Sequence, residues 1–210
     1  KTFAFKNIQT IACSKGEYEI TKELTSNATY VDNGINLKEF DGITMNHRTD
    51  FDHLKIATLG RISLQKNPAK FNQIAEAFPD IDFIWIGDGE LRDKLTSPNI
   101  KITGWVDNKT ALSYLNDTDM FIFTSLWEGL SMALLEAMYM EKLCIVSNVV
   151  GNNKVIHDGQ NGYSCDSVDD FIKKIKSIST ERYALTILTK NAHTDVVNHY
   201  NSTIMANEYK

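Results

Sequence analysis

From about residue 54 onward, short apolar runs rich in β-branched and aromatic residues alternate with longer amphipathic runs. That alternation restricts the chain to a parallel sheet with helices on both of its faces. The strand candidates are Lys55–Leu59, Asp82–Ile86, Ile100–Ile102, Met120–Phe123 and Leu143–Ser147. Most are nearly continuous apolar runs, as strands buried on both faces must be. Asn67 stands where a helix needs its N-cap and Pro68 follows in the first turn, with Phe71, Ile74, Ala75 and Phe78 spaced for one buried face. Asp107 can cap a second helix carrying Ala111, Leu112 and Leu115, and Ser167 a third carrying Phe171, Ile172, Ile175 and Ile178. A last long helix is expected over about 181–199. The fold class is therefore α/β with a doubly wound parallel sheet, and 210 residues are enough to bury a sizeable core.

Residues 1–40 stand apart from this pattern. Thr10 to Cys13 and Ala28 to Val31 read as two strands flanking a helix, and Asp32-Asn33-Gly34 is a turn signal. Residues 38–53 are polar and mixed, as an interdomain connector would be. The expected division is a separable segment over 1–40, the sheet domain over 41–180 and a C-terminal helix over 181–210.

Composition removes several classes of partner. With 22 Lys+Arg against 27 Asp+Glu the net charge is -5, and no basic run tracks a phosphate backbone, so nucleic acid is not an expected partner. The most apolar stretch, residues 120–140, is interrupted by Glu128, Gly129 and Glu136 and reads as core rather than as a membrane span. Cys13, Cys144 and Cys165 form an odd set with no CxxC spacing, which argues against a disulfide framework and a zinc site and for a reducing, cytoplasmic compartment. The first residue is Lys and no signal-peptide pattern follows, so the chain reads as an excised piece of something longer.

In a doubly wound sheet, ligands bind outside the carboxyl ends of the strands, which makes the strand exit loops the place to look for chemistry. The first is Gly60-Arg61-Ile62-Ser63-Leu64-Gln65-Lys66-Asn67, with two cations just before a helix N-terminus. Arg61 and Lys66 suit a diphosphate, and they equally suit plain solvated loop positions. The second is Gly87-Asp88-Gly89-Glu90-Leu91, a glycine-rich turn and helix start that lacks the third glycine of a dinucleotide fingerprint. The third, Gly104-Trp105-Val106, offers backbone groups and an aromatic edge to a flat base, although Trp105 as simple packing fits as well. The fourth is the most informative: Ser125-Leu126-Trp127-Glu128-Gly129-Leu130-Ser131 leads into a helix whose second turn holds Glu136 among Ala133, Leu134, Leu135, Ala137 and Met138. A carboxylate on so apolar an element needs a partner, and the two hydroxyls of a ribose are one that fits; Glu128 at the helix mouth could meet a sugar hydroxyl.

These motifs, in this order and at these spacings, resemble the large family 4 of retaining GT-B glycosyltransferases, the glycosyl transferases group 1. The resemblance rests on Gly60-Arg61 with Lys66, Gly87-Asp88-Gly89-Glu90-Leu91, Gly104-Trp105-Val106, Glu128-x7-Glu136 and the late turn Asp158-Gly159-Gln160-Asn161-Gly162. Asp32-Asn33-Gly34-Ile35-Asn36 with Phe40 extends it, so that it covers roughly residues 10–180. It implies a Rossmann-like C-terminal half of a GT-B fold, with residues 1–40 as the tail of an acceptor domain or a linker and 181–210 as a helix crossing back to that domain. It also implies that Gly60, Arg61 and Lys66 bind the donor diphosphate and that Gly87, Gly89 and Leu91 line the donor site. Val106 would face the base, Glu128 the donor sugar near its reacting carbon, Gly129, Leu130 and Ser131 the helix mouth, and Glu136 the ribose. Glu128, Arg61 and Lys66 would carry the catalytic step, with retention of anomeric configuration and without a metal or other cofactor. The implied partners are a nucleotide-sugar donor, an acceptor sugar or lipid-linked sugar, and an N-terminal acceptor domain outside this chain. The implied setting is cell-surface polysaccharide or lipopolysaccharide synthesis in the cytoplasm, at the inner face of the membrane through the missing half. One departure stands out: the family's paired glycine and acidic residue before the late turn are replaced by Val150-Gly151-Asn152-Asn153-Lys154-Val155.

Two rival readings remain at the sequence level. A metal-dependent GT-A transferase would use an Asp-x-Asp motif, and triplets occur at Asp50-Phe51-Asp52, Asp80-Ile81-Asp82 and Asp117-Thr118-Asp119. The last two precede strands, which puts them at the amino edge of the sheet, away from the ligand crevice. A non-catalytic nucleotide-sugar-binding module would keep Glu136 and Arg61 and lack an acceptor site.

Overall fold

The apolar runs form strands where the sequence places them. In the computed structural model the described residues are 8–46, 54–178 and 182–210, without the side chains of 182–185. A six-stranded sheet is built from β3 (Lys55–Leu59), β4 (Asp82–Ile86), β5 (Ile100–Ile102), β6 (Met120–Phe123), β7 (Leu143–Ser147) and β8 (Tyr163–Cys165) in the order β5-β4-β3-β6-β7-β8. All pairs are parallel. The helices are α2 (Pro68–Glu76), α3 (Asn108–Asn116), α4 (Met132–Tyr139), α5 (Val168–Ile178) and α6 (Arg182–His199). Strand order reverses between β3 and β6, so their exit loops open into one crevice, the topological switch point of such sheets.

Successive side chains in a strand point to opposite faces, and each strand therefore feeds two cores. Phe121 and Phe123 of β6 join Leu112, Leu115, Leu134, Leu135 and Met138 of α3 and α4. Met120 and Ile122 join Phe71, Ile74, Phe171 and Ile175 of α2 and α5 on the other face. Phe71 meets Phe83 and Trp85 edge-on at 5.6 and 5.0 Å between ring centroids. Asn67 caps α2 through the Lys70 N–H, Asp107 caps α3 through the Thr110 N–H, and Ser167 with Asp170 forms a reciprocal capping pair at α5.

A smaller unit precedes the sheet: β1 (Thr10–Ala12), α1 (Lys15–Thr21) and β2 (Ala28–Tyr30), with β1 and β2 parallel. It is tied to the far end of the chain, where Ile35 N–H donates to Tyr200 O at 2.9 Å and Ser202 N–H donates to Ile35 O at 2.8 Å. A short α7 (Ser202–Glu208) follows.

The structure departs from the sequence reading in four places. β8 was not foreseen: its three residues include a part-exposed Ser164 and show neither a run nor a legible alternation. No α-helix follows the Gly87-Asp88-Gly89 turn; a single 3-10 turn at Arg92–Lys94 takes its place. There the backbone is claimed by a side chain instead, since Asn72 Oδ1 accepts from Thr96 and Ser97 N–H. The α6 flank bearing His193 and Val196, on the helix expected to cross back to another domain, is packed along α4, with Val196 fully buried. The fourth is that the span 181–210 holds two helices, α6 and a separate α7 capped by Asn201. Residues 47–53 of the connector, with Asp50-Phe51-Asp52, lie outside the described residues.

Candidate functional site

Backbone and side-chain bonds stitch the loops after β3 and β6 together. Leu126 N–H donates to Gln65 O at 2.8 Å, Gln65 Nε2 donates to Trp127 O at 3.0 Å, and Thr124 Oγ1 donates to Lys66 O at 2.8 Å. This stitching carries Lys66 to Glu128. Their Nζ and Oε1 are 2.8 Å apart, and the two side chains are only 15% and 6% exposed, so the pair sits in a poorly hydrated crevice. The ammonium also lies 4.1 Å from the centroid of the Phe123 ring. Burial pulls the Lys66 pKa below its ordinary value, and the Glu128 charge opposes that pull.

The Glu128 loop is held from two further sides. A Cβ on Gly151 would stand 2.1 Å from Gly129 O, so the atypical 150–154 loop abuts it so closely that only glycine fits. From the N-terminal unit, Asn33 Nδ2 donates to Leu130 O at 3.0 Å, and Cys13 Sγ lies against Gly129. Burial, then the Glu17 carboxylate, pushes the Cys13 thiol up to about 11.

Beyond this loop α4 begins. Ser131 is its N-cap residue but forms no side-chain cap bond, and the N–H groups of the first helical turn face the crevice as a positive dipole end. Glu136 falls in the second turn, as the sequence reading required. Its side chain is mostly buried, and the carboxylate has no hydrogen-bond or ion-pair partner among the described residues. Burial, then the charge of Glu39, pushes its carboxyl up to about 7. One turn on, Tyr139 stacks on His193 at 4.7 Å and meets Phe40 at 4.5 Å.

The loop after β4 leans on the loop after β3. Gly87 has φ 133°, and a Cβ there would stand 2.3 Å from Gly60 O, so both the conformation and the close approach require glycine. Ile62 N–H donates to Asp88 O at 2.9 Å and Leu91 N–H to Ile62 O at 3.2 Å, which leaves Gly89 and Leu91 directly beside the Arg61 loop. Arg61 itself points outward and pairs with Glu90 at 3.0 Å, both side chains exposed. It therefore lies on the rim, and Lys66 lies in the crevice. Val106 packs at the core edge, whereas Trp105 is 69% exposed, which removes simple packing as its role. At the opposite edge of the sheet, Asp117 and Asp119 hold Lys55, through Nζ to Asp117 Oδ2 at 2.6 Å and backbone N–H to Asp119 Oδ2 at 2.8 Å.

Sequence reasoning missed Glu39, Asn108 and Cys13 as neighbours of the site. Only Phe40, next to Glu39, carried any signal.

The class follows from this architecture. A doubly wound parallel sheet with its crevice at the β3–β6 switch point, and a cation–carboxylate pair at the mouth of the following helix, is the fold of one half of a GT-B glycosyltransferase. The family model of glycosyl transferases group 1 matches residues 55–181, and the chain belongs to that family. Among curated relatives, it is 30% identical to the UDP-Gal:alpha-D-GlcNAc-diphosphoundecaprenol alpha-1,3-galactosyltransferase of Escherichia coli, matching 95% of this chain and 58% of that protein. It is 23% identical to the lipopolysaccharide core biosynthesis glycosyltransferase LpsE of Rhizobium meliloti, matching 77% of this chain and 50% of the relative. The chain thus spans little more than half the length of these relatives. Among solved structures, Anabaena HepE in complex with UDP and glucose superposes with a TM-score of 0.81 at 14% identity, over 95% of this chain and 61% of that one. The C-terminal domain of the group 1 glycosyl transferase LpcC from Francisella tularensis superposes with a TM-score of 0.66 at 20% identity, over 80% of this chain and all of that domain.

Proposed function

We propose that this chain is the donor half of a retaining GT-B glycosyltransferase, which takes a sugar from a nucleoside diphosphate sugar and passes it to an acceptor held by a separate N-terminal domain. The observation that carries the reading is the buried Lys66–Glu128 pair at the mouth of α4, with Glu136 in that helix's second turn. A diphosphate in the crevice offers Lys66 a second anion, and the N–H groups of α4 and the rim cation Arg61 add to it. As the glycosidic bond breaks, negative charge grows on that diphosphate, where fixed positive groups stabilise the transition state most. Glu128, relieved of part of its hold on Lys66, meets a hydroxyl of the donor sugar near the reacting carbon. Glu136 takes the ribose, Val106 and its loop take the base, and Gly60, Gly87, Gly89 and Leu91 shape the wall between them. The acceptor attacks from the face the diphosphate leaves, which gives retention. Side chains and helix dipole neutralise the leaving group, so no metal is required. The amino-edge location of Asp117 and Asp119 weighs against a metal-dependent GT-A scheme.

The donor base is proposed as uracil, because the E. coli relative is named for UDP-Gal and HepE was crystallised with UDP. The acceptor is proposed as a lipid-linked sugar of cell-surface polysaccharide or lipopolysaccharide assembly, at the cytoplasmic face of the membrane. Among the described residues no helix is long and apolar enough to cross a membrane. Ile8, Ile11, Ile20 and Leu24 of the N-terminal unit are 44–57% exposed, which suits a unit covered by more of an acceptor domain.

Thermal shift against UDP-, GDP- and ADP-sugars tests the donor: UDP-hexoses raise Tm and the others do not. The chain alone binds the donor and transfers nothing, and addition of an acceptor half gives transfer, which separates an enzyme half from a binding module. Robust transfer by the 210-residue chain alone overturns the two-half reading.

A further inference from the structure

The mouth of α4 is enclosed by a ring of close contacts, and one member of that ring is an exposed valine. The ring starts at Glu128-Gly129, whose carbonyl oxygens leave no room for a side chain on Gly151. From the N-terminal unit, Cys13 Sγ would stand 2.8 Å from a Cβ on Gly129. Three residues beyond Cys13, Gly16 at the start of α1 closes the ring, since a Cβ there would meet Val150 Cγ1 at 2.8 Å. Glycine inside a helix is ordinarily unfavourable, and here its missing side chain lets Val150 seat against α1. Val150 nonetheless stays 49% exposed, at the carboxyl edge of the sheet and next in the chain to the residue that packs on the Glu128-Gly129 peptide.

This wall is braced from behind. Asn153 N–H donates to Val149 O at 3.0 Å, and the fully buried Asn152 donates through Nδ2 to Ser147 O at 2.9 Å. At the far end of the loop, Tyr200 Oη donates to Lys154 O at 3.3 Å. Branching at Cβ restricts the rotamers of Val150, and the methyl seated on α1 restricts them further. Where the resembling family pairs two glycines, this chain has Val150-Gly151. The Glu128 and Gly129 carbonyls require the glycine at 151, whereas a branched side chain stands at 150.

We infer that Val150 sets the size of the donor-sugar subsite, admitting a hexose and excluding its 2-acetamido counterpart. The inference rests on the reading of Glu128 as the group that meets the donor sugar near its reacting carbon. The ring carbon next to the reacting one carries the nearest substituent, so a sugar held by Glu128 brings that substituent to the level of Gly129, Gly151 and Val150. A hydroxyl there is small. An acetamido group is far bulkier, and seating it means displacing a side chain that α1 and the loop bonds hold in place. A well-packed wall rejects added volume by about tenfold or more. Galactose and glucose differ only in the direction of a hydroxyl remote from the reacting carbon, so Val150 does not separate those two.

The test is isothermal titration of the 210-residue chain with UDP, UDP-glucose, UDP-galactose and the two matching N-acetylhexosamine donors. Wild type binds each acetamido donor at least about tenfold more weakly than its hexose counterpart. Val150→Gly brings each pair within about threefold and leaves the affinity for UDP unchanged, because UDP has no sugar to meet the wall. Val150→Ala falls between the two. Val150→Ile thickens the wall and weakens the hexose donors as well, while UDP binds as in wild type. Equal binding of hexose and acetamido donors by wild type overturns the inference, and so does a gap that persists in Val150→Gly. A parallel loss for UDP and for every sugar donor across the variants assigns Val150 to loop support alone and overturns it too. Failure of wild type to bind UDP at all removes the donor-site reading itself, whereas intact UDP binding with an unaltered sugar preference in the variants removes only the role of Val150.

Discussion

Glu136→Gln is expected to stabilise the unliganded protein while it weakens donor binding, and the size of the gain depends on pH. Burial and Glu39 raise the carboxyl from its ordinary 4.5 to about 7. Between those values the folded chain keeps a proton that the unfolded chain has released, so stability falls as pH rises through this window. Below 4.5 both states are protonated and nothing is lost. Above 7 both are ionised and the loss is complete. At about 1.4 kcal/mol per pH unit, the gap between 4.5 and about 7 amounts to about 3 kcal/mol, an upper figure because part of the side chain touches solvent. Glutamine keeps the shape and removes the charge. For a chain of this size about 3 kcal/mol corresponds to roughly 6–12 °C in Tm. Thermal unfolding of both proteins from pH 4.5 to 8.5 is the assay. The melting curves nearly coincide at pH 4.5 and separate by several degrees at pH 8.5, with the variant the more stable. A difference that does not grow with pH refutes the argument that the empty site holds an uncompensated carboxylate.

Three other perturbations test the geometry. Lys66→Met leaves Glu128 buried without its cation and destabilises the chain by about 3 kcal/mol in denaturant unfolding, while Lys66→Met with Glu128→Gln recovers most of the loss; equal instability of the two contradicts the pairing. Arg61→Ala weakens binding of UDP far more than binding of uridine, because a guanidinium on the rim reaches only the diphosphate, and equal losses on both ligands reject that role. Gly87→Ala forces a side chain into a left-handed conformation against Gly60 O and costs about 2–4 kcal/mol, measured as a drop in denaturation midpoint; a loss under half a kcal/mol means the two loops can part.

Much of the sheet was legible because it is written locally. Lys55–Leu59 and Leu143–Ser147 are apolar runs of strand length, and Asn67-Pro68 and Asp107 are helix starts with a steric or hydrogen-bonding cause. β8 escaped because three residues carry no period, and the β4–β5 connection failed because Asn72 satisfies the Thr96 and Ser97 N–H groups from outside the segment. Within the site, Glu128, Glu136 and Lys66 could be singled out one at a time from their neighbours in the chain. That Lys66 grips Glu128, that Arg61 turns to Glu90, and that Glu39 accepts from Asn108 are contacts across 62, 29 and 69 positions, and no local pattern encodes them.

The pairing of both crevice-side cations has a consequence for the rate at which the donor is captured. Lys66 is matched by Glu128 and Arg61 by Glu90, so the mouth of the empty site is locally close to neutral on a chain of net charge -5. A doubly charged ligand approaching from solvent meets no attractive field to steer it, and long-range steering is the contribution that dissolved salt screens. Association should therefore run at the rate of an unsteered encounter and change little with ionic strength. The exchange of carboxylate for phosphate on Lys66 takes place only after contact, so salt and charge substitutions at this pair register mainly in how long the donor stays.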